Sequence, residues 1–201
     1  RALMAGDPDE PPMVSVETGM FTPAVGADRS RAASGLGATA TGGGTGARAA
    51  GGGHLEVVKW ARRNGCPWYE STCGEAALGD HLEVLQWAHQ NGCPWNAGTC
   101  ARAAWRGDLE MLQWARRNGC PWDERTCWEA AGEGHLEVLQ WARRNGCPWD
   151  VGTCAEAAKG GHLEVLQWAH QNGCPWDVRS CIYAAQNEGH LDVLQWVREN
   201  V

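Results

Sequence analysis

A segment of 27 residues recurs along this sequence from residue 45 to the end, and it constrains the fold more strongly than any other feature. Each copy is marked by His-Leu-Glu or a close variant, and the marker advances by 27, 27, 27, 27 and 28 positions. A fixed period between roughly 20 and 50 residues indicates stacked structural repeats. The register gives six units, at residues 45–71, 72–98, 99–125, 126–152, 153–179 and 180–201.

The second half of each unit has the pattern of an amphipathic helix. In the fourth unit, Val138, Leu139 and Ala142 share one side of a helix with about 3.6 residues per turn, and polar residues take the opposite side. Asn145-Gly146 follows at once, and this pair predicts a left-handed cap that ends the helix.

A shorter helix is predicted in the first half of the unit. Thr126 is its predicted N-cap, because Glu129 follows at the spacing of a capping box. Ala130 and Ala131 are small enough to let two helices approach closely. The same capping-box spacing recurs at Thr72 with Glu75 and at Thr153 with Glu156. Each unit is therefore predicted to be a helix–turn–helix hairpin, and the fold class to be an all-α repeat solenoid.

Neighbouring hairpins must cover one another, because one hairpin of this length cannot bury its own apolar side. Tryptophan is the predicted joint residue, since the chain has thirteen Trp and a single Phe. One series lies on the second helices, at Trp60, Trp87, Trp114, Trp141, Trp168 and Trp196. The other lies in the following loops, at Trp68, Trp95, Trp122, Trp149 and Trp176.

Residues 1–44 differ in composition from the repeats. Gly, Ala, Ser, Thr and Pro are frequent there, and neither helical nor strand periodicity is present. Such a segment buries too little apolar surface to offset the entropy that ordering removes. We predict a disordered low-complexity leader, with a localisation signal or a degenerate repeat as the alternative.

The repeats resemble those of the ankyrin family. Gly53-His54-Leu55-Glu56-Val57-Val58-Lys59 is similar to the family's second helix, and Asn145-Gly146-Cys147-Pro148-Trp149-Asp150 to its inter-repeat loop. The resemblance covers residues 45–201 and implies a concave binding surface formed by the first helices. Ankyrin repeats run to about 33 residues, so we expect short loops here in place of the family's projecting β-hairpin fingers.

The ten cysteines recur as pairs seven residues apart, which leaves three interpretations open. They are zinc ligands, disulfides across each loop of a secreted protein, or small buried thiols that fill packing positions. We favour buried thiols, because the spacing is wide for zinc and the recurrent histidine is replaced at Asp108. The pairs are Cys66 with Cys73, Cys93 with Cys100, Cys120 with Cys127, Cys147 with Cys154 and Cys174 with Cys181.

The recurrent histidine has no recurrent nucleophile beside it, so we expect it to cap and pack its helix rather than to act in catalysis. Asp108, which replaces it in one copy, is a predicted N-cap. His89 and His170 stand where other copies have Arg, and we expect them to be solvated. Arginine pairs such as Arg143-Arg144 either stabilise helix ends or form a basic stripe for an acidic partner.

Variation among the copies indicates the functional surface. The framework barely changes among the copies. Residues vary at the third and fourth positions of the first helix and in the loop that follows the loop Trp. Stacked repeats would place these positions on one face, with neutral drift as the alternative explanation. The candidate partner-binding residues are Arg48, Tyr69, Glu75, Arg102, Trp128, Glu129, Glu156, Ile182 and Tyr183. Trp128, Tyr183 and Tyr69 are the predicted anchors, because aromatic residues dominate binding hot spots.

Charge and motifs argue against other classes of function. A net charge of −7 disfavours nucleic acid and anionic lipid as ligands, and no apolar run reaches the roughly 18 residues of a membrane span. No catalytic set or phosphate-binding loop is apparent. We therefore expect a protein partner, no enzymatic activity and no cofactor, in a cytoplasmic monomer. The alternative is a secreted or host-directed repeat effector with local loop disulfides.

Overall fold

Six consecutive helical hairpins form the part of the chain that the computed structural model describes, residues 44–200. Within that range every regular element is an α-helix, which confirms the predicted all-α repeat solenoid. The predicted leader lies outside the described residues except for Gly44, which begins α1. The helices are α1 Gly44–Gly51, α2 Leu55–Arg63, α3 Glu70–Leu78, α4 Leu82–Gln90, α5 Ala97–Arg106, α6 Leu109–Arg117, α7 Glu124–Gly132, α8 Leu136–Arg144, α9 Val151–Lys159, α10 Leu163–Gln171, α11 Val178–Glu188 and α12 Leu191–Glu199.

Left-handed glycines shape both turns of the repeat. Between α7 and α8, Gly134 has a φ of +79°, and after α8 Gly146 has a φ of +83°. The N–H of Cys147 then donates to the carbonyl oxygen of Ala142 at 3.0 Å. The predicted left-handed cap of the second helix is thus confirmed. Residues 145–150 lead to α9 without a strand, as expected from the short period.

The first helices begin earlier than the capping-box spacing predicted. Asp123 is the N-cap of α7, and its side chain accepts a hydrogen bond from the N–H of Arg125 at 3.2 Å. Thr126 lies within the first turn and is fully buried, so the predicted caps at Thr72, Thr126 and Thr153 are wrong. The physical reason is that the loop supplies a stronger cap, since Asp and Asn cap helices better than Thr does. Side chains cap three other first helices in this way, at Asn96, Asp150 and Asp177.

The two sets of helices form two layers. The first helices (α1, α3, α5, α7, α9 and α11) pack closely side by side, and each second helix packs mainly on its own first helix. Ala130 and Ala131 are fully buried in α7, where their size allows this close approach. Leu139 and Ala142 of α8 complete the core from the other layer. The fourth position of each first helix remains exposed or half-buried along this layer, and we refer to this side as the first-helix face.

The Trp of each loop packs against the second-helix Trp of the next repeat. In all five pairs the ring centroids lie 5.8 or 5.9 Å apart, at tilted or edge-to-face angles. Aromatic pairs of this geometry stabilise beyond the area that they bury. The predicted place in the joints is confirmed for the ten Trp of these pairs, whereas Trp60 on α2 is 59% exposed and belongs to none of them. The pairs are Trp68 with Trp87, Trp95 with Trp114, Trp122 with Trp141, Trp149 with Trp168, and Trp176 with Trp196.

Arginine or histidine covers the other side of the loop Trp. The guanidinium of Arg143 lies 4.0 Å above the Trp149 ring and donates to the carbonyl oxygen of Cys147. Arg116 makes the same two contacts one repeat earlier. In the arginine pairs Arg116-Arg117 and Arg143-Arg144, the first arginine therefore binds to its own chain. These first arginines do not form a continuous basic stripe.

The expectation that His89 and His170 are solvated is wrong. His89 stacks on Trp95 with ring centroids 3.7 Å apart, and burial lowers its pKa. His170 packs on Trp176 at 4.3 Å. Both rings are half-buried because they replace the arginine that covers the loop Trp in other repeats.

The recurrent histidine packs across the joint between repeats. The His162 ring lies so close to Gly134 that a Cβ there would meet its Nδ1 at 2.6 Å. Across the preceding joint, Nε2 of His135 is 3.1 Å from the carbonyl oxygen of Trp105. Packing is thus confirmed, whereas capping is wrong, since none of the five histidines bonds to its own helix start through its side chain. Four of the rings turn toward the preceding repeat instead, those of His81, His135, His162 and His190.

One joint is built differently. Asp80 stands where the other repeats have glycine and adopts a left-handed φ of +63°, and Asp108 stands where they have histidine. The Asp108 side chain accepts a hydrogen bond from the N–H of Met111 at 2.9 Å, which confirms it as an N-cap. Burial, and then the neighbouring Asp80, raise the pKa of Asp108.

Candidate binding face

Within residues 44–200, no three His, Cys, Asp or Glu side chains are arranged to hold a metal ion. No helix in that range is long and apolar enough to cross a membrane. The chemistry of the described residues therefore rests on three features: the thiols, the tryptophan joints and the exposed face of the first helices.

The ten cysteines are free thiols, and nine of them are buried, as predicted for packing residues. Cys73 and Cys93, twenty residues apart, are neighbouring thiols, and the Cys73 thiol lowers the pKa of Cys93. The Cys93 thiol also contacts the carbonyl oxygen of Tyr69 at 3.6 Å. Three further hairpins repeat this pairing, at Cys100 with Cys120, Cys127 with Cys147, and Cys154 with Cys174.

These thiol contacts do not join the cysteines that are seven residues apart in the sequence. The loop that follows a hairpin returns its cysteine to the first helix of that same hairpin, as Cys93 returns to α3. Neighbouring thiols are therefore twenty residues apart, and cysteines seven residues apart belong to successive hairpins.

Glu75 and Arg102 occupy the same position on adjacent first helices and form an ion pair. Oε1 of Glu75 lies 3.3 Å from Nη1 of Arg102, and the guanidinium lies over Gly74. Both side chains are about one third exposed. The charges of Glu75 and Arg102 are therefore paired, although a pair so exposed stabilises by only about 0.5 kcal/mol. A groove of about 430 Å³ lies beside this pair, and Gly74 and Arg102 line it.

Trp128 stands where Gly74 stands two repeats earlier, and it is held by its own chain. Its indole Nε1–H donates to Oδ1 of Asp150 at 2.6 Å, and its ring lies against Gly152 at the start of α9. The ring is half-buried. Trp128 is consequently a fixed wall of the face, with only one side available to a ligand.

A groove of about 500 Å³ lies beside Trp128, at the C-terminal ends of four first helices. Its lining includes Trp105, Trp128, Glu129, Glu156 and Glu188, and we refer to it as the Trp–Glu groove. Lys159 also lines it and pairs with Glu156 at 3.2 Å. Burial, and then the charges of Glu156 and Glu133, raise the pKa of Glu129. The groove is therefore both aromatic and acidic.

The remaining candidate residues lie elsewhere on the face. Arg48 is exposed on α1, and Tyr69 is 42% exposed at the N-cap of α3. Ile182 packs against the core from α11, so the chain itself covers much of it. Tyr183, beside it, is 68% exposed. Of the nine candidates, the structure brings Trp128, Glu129 and Glu156 together in the Trp–Glu groove.

Sequence reasoning missed Trp105, Glu133 and Glu188, which also line the groove. Trp105 was open to detection, because its position varies among the copies: Gly51, Leu78, Trp105, Gly132 and Lys159. The criterion that identified the third and fourth helix positions, variation among the copies, would also have identified the position of Trp105. Glu188 was harder to find, because the extra residue of the last unit shifts the register just around it.

Comparison with known proteins agrees with this architecture. A family model described as ankyrin repeats (many copies) matches residues 154–198. Among solved structures, the crystal structure of the human ASB11 ankyrin repeat domain is similar, with a TM-score of 0.59 and 16% sequence identity. The alignment covers 77% of this chain and 82% of that one. A search of curated proteins found no match.

Proposed function

This chain carries ankyrin repeats and folds as an ankyrin-repeat solenoid, and from that premise we propose that it binds a protein partner across its first-helix face. Ankyrin repeats are in general protein–protein interaction modules. The observation that carries the proposal is the variation among copies. It is concentrated on the third and fourth first-helix positions and the adjoining loops, while the joints repeat almost unchanged. The fourth position is exposed or half-buried in every copy.

The second-helix layer has a different task, which supports this assignment. Its tryptophans pair with the loop tryptophans, and arginine or histidine covers those pairs. These side chains hold neighbouring repeats together, so they are constrained to recur in each copy. Exposed first-helix positions carry no such constraint, and they are the ones able to differ according to a ligand.

Among the proposed contacts, Tyr69 and Tyr183 are the exposed aromatic anchors, and Trp128 is a fixed one. Tyr and Trp supply large contact areas at low entropic cost, which is why they dominate hot spots. Glu75, Arg102, Glu129 and Glu156 would set the charge pattern that a partner must match.

The test compares one face with the other in the full chain. A partner isolated by affinity purification would be titrated against the wild type, a Tyr69→Ala/Tyr183→Ala variant and a Trp60→Ala variant. Trp60 is the matched control, because it is a large aromatic residue, 59% exposed, on a second helix. We expect the double variant to weaken binding about tenfold or more and Trp60→Ala to leave it unchanged. The opposite ranking would place the interface on the second-helix layer and refute the proposal.

We further propose that the chain acts in a reducing compartment such as the cytoplasm. Ten free thiols, most of them buried, suit such a compartment better than a secretory one. Mass spectrometry of the native protein with and without alkylation would count the thiols. Ten alkylated cysteines are expected, and native disulfides would favour the secreted alternative.

A further inference from the structure

We propose that the Trp–Glu groove is a receptor for a basic peptide segment and takes a lysine or arginine side chain between Trp105 and Trp128. The inference rests on the proposed function, since it uses the same face, and it adds the chemistry of the partner. The groove joins the C-terminal ends of α5, α7, α9 and α11.

The aromatic lining is the first argument. Trp105 is 38% exposed and Trp128 is half-buried, and both line one cavity of about 500 Å³. Pockets that bind organic ligands lie in about this range of volume. The bond from Trp128 Nε1–H to Asp150 fixes one ring before any ligand arrives. A cation above a Trp ring is attracted to its π face, and Trp is the best of the aromatic residues for this contact.

The balance of charge is the second argument. Four glutamates line the groove, at Glu129, Glu133, Glu156 and Glu188. Lys159 is the single cation among the described lining residues, and it pairs with Glu156. Burial raises the pKa of Glu129 most, and the charges of Glu156 and Glu133 raise it further. Acidic side chains thus outnumber basic ones in the lining of the groove. A cationic side chain would relieve this repulsion, whereas an acidic ligand would increase it.

The position of the groove on the helices is the third argument. A helix C-terminus carries a partial negative charge and favours cations nearby. The last turns of α7 and α11 hold no basic residue, and Glu188 is the last residue of α11. These helix ends add to the negative potential of the glutamates instead of being neutralised.

A peptide side chain fits these features better than a metal ion does. Among the described residues, no set of three His, Cys, Asp or Glu converges as metal ligands. The two indole rings would be superfluous around a small inorganic cation, whereas they match the apolar stem of lysine or the plane of arginine. The face on which the groove opens is the one proposed to bind protein.

The test uses the full chain and a library of random dodecapeptides displayed on phage. We expect the selected sequences to share a lysine or arginine. Synthetic copies would then be titrated by fluorescence anisotropy, with the basic residue intact or replaced by norleucine or glutamine. The replacement is expected to weaken binding about tenfold.

Two charge-matched variants locate the site. Glu129→Gln/Glu133→Gln removes two carboxylates from the groove, and Glu137→Gln/Glu164→Gln removes two exposed carboxylates from the second helices. Both change the net charge from −7 to −5, since each replaces two acids. We expect about a tenfold loss of affinity in the first variant and less than about twofold in the second. Trp105→Leu should also weaken binding, and circular dichroism would verify that every variant is folded.

Three results would overturn the inference: equal losses in the two glutamine variants, selection of acidic or purely apolar peptides, or selection of none. The proposed function is tested separately. The selected peptides could lack basic residues and yet lose their binding to Tyr69→Ala/Tyr183→Ala. In that case the first-helix face would remain the interface, and only the proposal of a basic ligand would be overturned.

Discussion

Repeats 2 and 3 differ from repeats 4 and 5 on the same face of the same scaffold. In the first region Gly74 leaves room for Arg102, which pairs with Glu75. In the second, Trp128 and Glu129 stand at the corresponding positions, and Glu156 takes the place of an arginine. A groove of about 430 Å³ with acidic and basic side chains in balance thus gives way to the aromatic and acidic Trp–Glu groove.

The difference teaches that this scaffold separates stability from recognition. The Trp–Trp and arginine–Trp contacts that join repeats recur in both regions, as in Trp95 with Trp114 and Trp149 with Trp168. Two or three side chains on the first helices change the character of the surface without altering those joints. Nearest-neighbour stacking allows this, because each repeat needs only its neighbours' framework residues.

The largest expected effect is on Trp128, the residue that most distinguishes the two regions. Trp128→Ala should lower the free energy of unfolding by about 2–3 kcal/mol, because it removes a half-buried ring and its hydrogen bond to Asp150. Trp128→Phe should cost about 1 kcal/mol, since the ring remains and the N–H donor is lost. Urea unfolding measures both. Trp60→Ala is the control and should stay within about 0.5 kcal/mol. An equal cost for Trp60→Ala would show that the Trp128 ring is not packed as described.

The next effect concerns the joint between repeats 2 and 3. Asp80→Gly should stabilise the protein by about 1–2 kcal/mol, because glycine adopts a left-handed φ without strain and the neighbour of Asp108 loses its charge. The pKa of Asp108 is raised in the folded state. Asp108 therefore contributes its full stabilisation of the fold below its unfolded-state pKa, and this stabilisation is lost as the pH rises through its folded-state pKa.

The gain from Asp80→Gly should therefore be larger at pH 7 than near pH 3.5. Asp80→Asn separates the two causes, because it removes the charge while keeping a residue that tolerates the backbone conformation. Thermal unfolding at both pH values provides the readout. A gain that does not depend on pH in either variant would assign the whole effect to the backbone.

A smaller stabilisation is expected at Gly74, the counterpart of Trp128. Gly74→Ala should gain about 1 kcal/mol of helix propensity and lose about 0.5 kcal/mol from the displaced Glu75–Arg102 pair, for a net gain of about 0.5 kcal/mol. The methyl group would meet the flexible end of Arg102, which can move away. The Arg102→Ala background provides the control, since there the full gain should appear. A net loss in both backgrounds would mean that α3 and α5 themselves have no space for a methyl group.

The smallest effects are expected to have opposite signs at Glu75 and Glu129, which occupy equivalent positions. Glu75→Gln loses an ion pair and should destabilise by a few tenths of a kcal/mol. Glu129→Gln removes a partly buried charge and its repulsion by Glu156 and Glu133, and should stabilise by a similar amount. The folded-state pKa of Glu129 is raised, so the difference between Glu129→Gln and the wild type should fade as the pH drops to about 4. Denaturant titrations at the two pH values would measure it. Changes of the same sign would contradict the contrast between the two regions.

The sequence by itself determined the repeat, the helical hairpins, the tryptophan joints and the left-handed turn at Gly146. Each of these follows from a local pattern that recurs in every copy, so one unit is enough to predict it. Most of the candidate face was also open to prediction, because the positions that vary among copies can be read by aligning the copies with one another.

Only the tertiary structure decided which side chains meet. The thiol beside Cys73 and the ring of His162 on Gly134 both depend on how one helix lies against another. So does the Trp–Glu groove, because Trp105, Glu129 and Glu188 belong to different repeats and become neighbours only when the hairpins stack. The helical period determines the direction in which a side chain leaves its helix. The electrostatic potential at a site, however, is the sum of the contributions of all nearby charges, and only the stacking of repeats brings those charges close together.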